Sequence, residues 1–118
     1  MLDKREKVAL YRALARLKSD ELGSIIKHLD DNSVDALCEC VYNVVHSDLK
    51  LSPKAKQTLK KKLKNGCSKK NLYIIMKKKN ALSKRRKALS QEGSGIGLIL
   101  ATVAPLLANL IFGKKNTK

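Results

Sequence analysis

The stretch "KKKNALSKRRKALSQEGSGIGLILATVAPLLANLIFGKK", Lys77–Lys115, sets a polycation directly beside a segment that water rejects. From Ile96 to Phe112 there are 17 residues without a charge. As a helix rising about 1.5 Å per residue they span roughly 26 Å, the short limit for a hydrocarbon core of about 30 Å. How this run is covered decides the architecture. Its apolar side chains are Ile96, Leu98, Ile99, Leu100, Val103, Leu106, Leu107, Leu110, Ile111 and Phe112, while Thr102, Pro105 and Asn109 form a weak polar stripe at i, i+3 and i+7. Three coverings are open: contact with a membrane, association with a second copy or a partner groove, or use as the last helix of the chain's own core. Membrane contact is favoured. A helix apolar nearly all round asks for more cover than a chain of 118 residues readily supplies.

Moving toward the N-terminus, the charge divides sharply. The formal net charge is +16. Residues 50–90 carry 16 Lys/Arg and no acid, residues 1–49 carry 7 Lys/Arg against 9 Asp/Glu, and residues 91–118 carry 3 Lys against Glu92. The chain thus divides into a near-neutral segment (1–49), a basic segment (50–90), a Gly/Ser step (91–95) and an apolar segment (96–113). In the basic segment Ser52-Pro53 is a strong helix start and Asn65-Gly66 a good stop. Ser68 can cap a further helix with Leu72, Ile75 and Met76 inward, and a last basic piece follows. The outward cations are Lys54, Lys56, Lys60, Lys61, Lys62, Lys64, Lys69, Lys70, Lys77, Lys78, Lys79, Lys84, Arg85, Arg86 and Lys87. A lysine-rich helical surface usually carries Glu partners at i±4 that cancel self-repulsion. None is present here, so the compensating polyanion is expected from outside. Lys outnumbers Arg, and Tyr73 is the only aromatic of the segment. That composition suits phosphate neutralisation without base readout, duplex DNA being the favoured partner.

The near-neutral segment reads as three short amphipathic helices. Leu10, Leu14 and Leu17 mark the first, over residues 4–18. Ser19 before Asp20 and Glu21 is expected to cap the second, whose stripe is Leu22, Ile25, Ile26 and Leu29. Ser33 is expected to cap the third, with Val34, Leu37, Cys38, Val41, Val44 and Val45 inward. The predicted fold class is all-α: a small N-terminal bundle, a basic helical middle and an apolar C-terminal helix. So small a core is marginal alone, which makes a homo-oligomer a reasonable expectation.

Enzymatic chemistry is not indicated. No nucleophile–base pair, glycine-rich phosphate loop or paired-carboxylate signature appears, and no cofactor is expected. Cys38 and Cys40 point roughly 200° apart on a helix and cannot converge on one metal. His28 and His46 stand at no usual zinc spacing, so no metal site is expected. Three cysteines fit no disulfide framework and are expected reduced. The first 25 residues hold no apolar run like a secretory signal, so entry to the secretory pathway by that route is not expected.

Three stretches taken in order, "LSPKAKQTLKKKLK" (51–64), "SKRRKALSQEGSG" (83–95) and "IGLILATVAPLLANLIFG" (96–113), resemble the small basic core proteins of adenoviruses and of adintoviruses, the Polinton-type viruses. The resemblance covers roughly residues 50–113 and is compositional. It implies binding to packaged viral DNA, location in the virion and host nucleus, and cutting by a viral cysteine protease that favours Gly-Xaa before Gly. Gly93-Ser94-Gly95 matches that pattern, while Gln91 stands where the protease prefers Met, Ile or Leu. The alternatives are a tail-anchored protein on the cytosolic face of an intracellular membrane, its basic segment before the anchor as the positive-inside rule asks, and a helical dimerisation or interaction domain.

Overall fold

The computed structural model describes residues 2–46, 53–66 and 68–112, and among these it shows seven α-helices and no strand. They are α1 (Lys4–Ala15), α2 (Ser19–Ile26), α3 (Asp31–Val45), α4 (Pro53–Gly66), α5 (Lys69–Met76), α6 (Leu82–Gln91) and α7 (Gly93–Phe112).

The helix starts follow from local chemistry. Asp3 and Glu6 form a reciprocal capping box on α1: the Asp3 carboxylate accepts from the Glu6 amide at 2.8 Å, and Glu6 Oε1 accepts from the Asp3 amide at 2.9 Å. Two expected caps move by one turn or less. Lys18, not Ser19, occupies the cap of α2, and its amide donates to Glu21 Oε1 at 3.0 Å. Asp30, not Ser33, precedes α3, and Ser33 lies in the first turn donating its hydroxyl to the Asp30 carboxylate. In both places acids stand near the helix start, where the positive end of the helix dipole favours them, but only at α2 does one accept from a backbone amide; no side chain caps α3. Ser68 does cap α5, accepting from the Asn71 amide at 3.1 Å. Ser52, the expected cap of α4, lies outside the described residues, and Pro53 is the first residue of that helix.

One apolar cluster takes side chains from all seven helices. Its spine is α7, where Ile96, Ile99, Leu100, Val103 and Ala104 are all buried. These positions are i, i+3, i+4, i+7 and i+8, one face of a helix. α7 packs most extensively against α1 and then against α2, which contribute Val8, Tyr11 and Leu14, and Leu22 and Ile26. The buried face of α1 is therefore turned toward Val8 and Tyr11, with Leu10 and Leu17 only partly buried. α3 lies on the other side, packed on α5, α6 and α1. The Tyr11 hydroxyl donates to the Ala36 carbonyl at 2.8 Å and ties α1 to α3. Cys38 and Cys40 are both buried despite facing different ways, because α3 is covered on two sides.

This packing departs from the charge map. The near-neutral helices α1 and α2 close over the apolar helix, and α2 and α3 pack on the basic α6. The charge boundaries are not packing boundaries. Nor do Gly93, Ser94 and Gly95 form a connector: they are the first turn of α7, and Glu92 alone separates it from α6. Glycine has a specific use at Gly23, where α2 meets α6. A Cβ there would stand 2.6 Å from the Ser90 carbonyl oxygen, inside any real contact distance, and the obstacle is backbone. Gly23→Ala is expected to destabilise the fold by about 1–3 kcal/mol, as overpacking does, read by urea unfolding.

Burial also shapes the response to alkali. It pushes the Cys38 thiol up to about 11 and the Cys40 thiol up to about 12 from the ordinary 9.0, with the Arg85 guanidinium partly offsetting the rise at Cys38. The Tyr11 phenol is pushed above its ordinary 10.0 by the same desolvation. The unfolded chain releases these protons near the ordinary values, so above about pH 9 the native state holds more of them. Their contribution is fully present below that pH and is lost as pH rises toward about 12. Urea unfolding at stepped pH is expected to show stability falling from about pH 9 upward; a rise across that window contradicts the burial of these groups.

Candidate nucleic-acid interface

The cations of residues 50–90 have no acid within their own segment, but the fold brings acids to two of them. Arg85 is buried, at 7% exposure, with Nη1 3.4 Å from Asp35 Oδ1 of α3. Arg86 reaches across α2: its Nη1 donates to the carbonyls of Ile26, at 3.0 Å, and Leu29, and its Nη2 donates to Asp31 Oδ1 at 2.9 Å. Ile26 ends α2 and Asp31 begins α3, so one guanidinium braces the last carbonyl of α2, the Leu29 carbonyl in the turn after it and the first acid of the next helix. Both arginines are thus engaged within the fold, although Arg85 Nε has no hydrogen-bond partner among the described residues.

The lysines behave differently. No lysine of α4, α5 or α6 ion-pairs with an acid among the described residues. Lys54, Lys61 and Lys64 on α4 are exposed, and Lys56 and Lys60 are half-buried. Lys69, Lys70, Lys78, Lys79, Lys84 and Lys87 are exposed. Lys77 is half-buried, with its Nζ 4.6 Å above the centroid of the Tyr73 ring. The side chain of Lys62 lies outside the described residues.

Between α5 and α6 these cations border a groove of about 490 Å³, lined by Ser68, Lys70, Asn71, Ile74, Lys84, Lys87, Ala88 and Gln91. None of its lining residues is acidic. Lys84 and Lys87 are three apart and share a face of α6, while Lys70 faces them from the first turn of α5. The Asn71 amide nitrogen donates to Gln91 Oε1 at 3.2 Å and to Glu92 Oε2, fixing the start of α5 against the end of α6. Ser68 accepts at its oxygen, so its proton remains available as a donor. The groove can hold an anionic oxygen by charge and hydrogen bonding. It has no nucleophile–base pair, and among the described residues no three His, Cys, Asp or Glu side chains gather as a metal site.

The described part of the apolar segment turns one face inward. Ile96, Ile99, Leu100 and Val103, expected to meet a membrane or a second copy, are buried in the chain's own core, and Leu98 is exposed. The physical reason is the cover offered by α1 and α2, which charge segmentation assigned to a separate bundle. The side chains of Leu106, Leu107, Leu110, Ile111 and Phe112 lie outside the described residues. Among the described residues no helix is long and apolar enough to cross a membrane. At the expected processing step Gly95 is buried and the backbone is helical, so cutting at Gly93–Gly95 requires the first turn of α7 to open.

Sequence reasoning did not find the aromatic cluster beside the lysines. Tyr42 and His46 of α3 stack with ring centroids 4.2 Å apart, and both border the same cleft as Tyr73, Lys77 and Lys78. Tyr42 and His46 are four apart, a helical pair signal, but nothing in the sequence joins them to Tyr73.

Comparison with protein-family models, curated proteins and solved structures finds no match for this chain.

The division between arginine and lysine predicts separate phenotypes. Arg86→Ala is expected to cost about 1–3 kcal/mol through the lost charge-assisted hydrogen bonds. Asp31→Asn is expected to cost under about 1 kcal/mol, since that side chain is 80% exposed and well screened. Unfolding titrations check both; an Arg86→Ala chain as stable as the parent removes the bracing role.

Proposed function

We propose that this chain is a non-enzymatic nucleic-acid-binding protein that neutralises phosphates with the lysines of α4, α5 and α6 and has little preference for base sequence. The observation that carries this reading is the sorting of charge. Within the basic segment both arginines turn inward to acids or carbonyls, while the described lysines of α4 to α6 keep no acidic partner. A surface so arranged repels itself in the free protein and is relieved by a polyanion. Lysine is a compact, mobile point charge, suited to contacting phosphates without fixing a register.

The virion-core setting implied by the resemblance belongs to the same proposal: a short, strongly basic protein that condenses DNA. The buried stripe of α7 supports nucleic-acid binding over tail anchoring, because side chains facing the chain's own core are not available to lipid. The same burial supports a structural role for α7.

The test is duplex DNA binding by the full chain across a salt series, with unrelated sequences compared. Binding is expected to be salt-steep and alike for all sequences. The triple variant Lys70→Gln, Lys84→Gln, Lys87→Gln is expected to weaken binding uniformly and to reduce the slope of log K against log[salt] by about 2–3. Absence of binding at low salt, or a slope unchanged in the variant, rejects the α5–α6 groove as a phosphate site.

A further inference from the structure

We propose that the cleft between α3 and α5 receives an unpaired base of a bound nucleic-acid strand, while the strand's phosphates lie on the neighbouring lysines. This rests on the nucleic-acid reading above and adds to it a site for the base. The cleft has a volume of about 670 Å³, within the range that holds small organic ligands.

Its walls are aromatic. Tyr42 and His46 stack on the α3 side, and Tyr73 stands on the α5 side. Tyr42 is 42% exposed and Tyr73 57% exposed, so each keeps surface for a partner beside the neighbour its ring already has, His46 at Tyr42 and Lys77 Nζ at Tyr73. Every base has a π-face, and aromatic side chains beside a cationic track are the usual means of holding single strands. Here the track is Lys77 and Lys78, which border the cleft, continued by the exposed Lys79.

Arg85 also borders the cleft and carries the second, independent observation. It is buried, and its Nε has no hydrogen-bond partner among the described residues. A buried donor without an acceptor is costly to leave unmet. The atom has almost no accessible surface, so a carbonyl or ring nitrogen on a base edge meets it once the guanidinium shifts toward the cleft it borders.

The remaining lining distinguishes a base from a bare anion. Asp35 and Glu39 border the same cleft, Asp35 paired with Arg85 and Glu39 with Lys7. Carboxylates there oppose a phosphate or carboxylate ligand. A base edge carries donors as well as acceptors, so it can satisfy Asp35 and Arg85 together. In a stacked, paired duplex that edge and both ring faces are occupied, so the cleft selects unpaired bases.

The experiment compares a short DNA single strand with one of the same length in which abasic sugars replace the bases. Both carry the same phosphates. The full chain is titrated with each by fluorescence anisotropy at fixed salt, and again as the Tyr42→Ala, Tyr73→Ala double variant, whose altered residues are exposed and whose helicity is checked by circular dichroism. The base-bearing strand is expected to bind about 5- to 100-fold more tightly, and the difference is expected to collapse in the double variant. A 2-aminopurine in the strand is expected to change its fluorescence with the parent chain and not with the variant. Equal affinity for the two strands, with salt-steep binding retained, overturns the base site and leaves phosphate neutralisation standing. Failure of both strands and of duplex to bind at low salt overturns both readings.

Discussion

The burial of α7 by α1 and α2 is the contact on which the other helices depend. Ile96, Ile99, Leu100 and Val103 are each about 1% exposed. Fully burying side chains of this kind contributes roughly 1.5–3 kcal/mol apiece, an upper bound given a partly collapsed unfolded chain. Four of them are comparable to the whole net stability of a small domain, about 5–15 kcal/mol. Without α7, the stripe of α1 loses the partner it contacts most widely, and that of α2 one of its two main partners. The remaining elements are short helices, of 8 to 15 residues, which have little stability of their own in water.

A second constraint follows from placing many cations around so small a core. The basic segment can fold only if its charges avoid burial or find partners. Lysine and arginine take different routes, for reasons in their chemistry. A guanidinium is planar, weakly hydrated and rich in donors, so Arg86 can serve two carbonyls and a carboxylate at once, and Arg85 can lie buried beside Asp35. An ammonium is strongly hydrated and keeps its head in water. The acids that receive the arginines lie on α3, 50 and 55 residues earlier in the chain. The fold therefore uses the near-neutral segment to neutralise a small, fixed part of the basic one and leaves the rest at the surface.

Much of the secondary structure was legible in local pattern. Pro53, the Ser68 cap and the helical spacing of Leu72 and Ile75 read correctly because their causes lie within one turn of the chain. Ser19 and Ser33 misled because each helix starts earlier than its serine suggests, Lys18 standing at the cap of α2 and Asp30 at that of α3. Gly93–Gly95 suggested a Gly/Ser step between segments, yet the turn is helical; Ile96 and Ile99 beyond it are buried, and packing outweighs glycine's weak helix preference. The covering of the apolar segment was not legible. It depends on which distant helices face it, and hydropathy reports the need for cover without naming its source. The exposed lysines could be read from composition; the inward turn of Arg85 and Arg86, and the placing of Tyr42 and Tyr73 on one cleft, could not, since each is a product of tertiary pairing.

The pairing of α1 with α7 also sets an order of events during synthesis. The ribosome delivers α1 first and α7 last of the described helices, some ninety residues later. Until α7 emerges, Val8, Tyr11 and Leu14 lack their main cover, and the core cannot close helix by helix. The nascent chain therefore carries its full run of lysines into the cell before it has a finished fold.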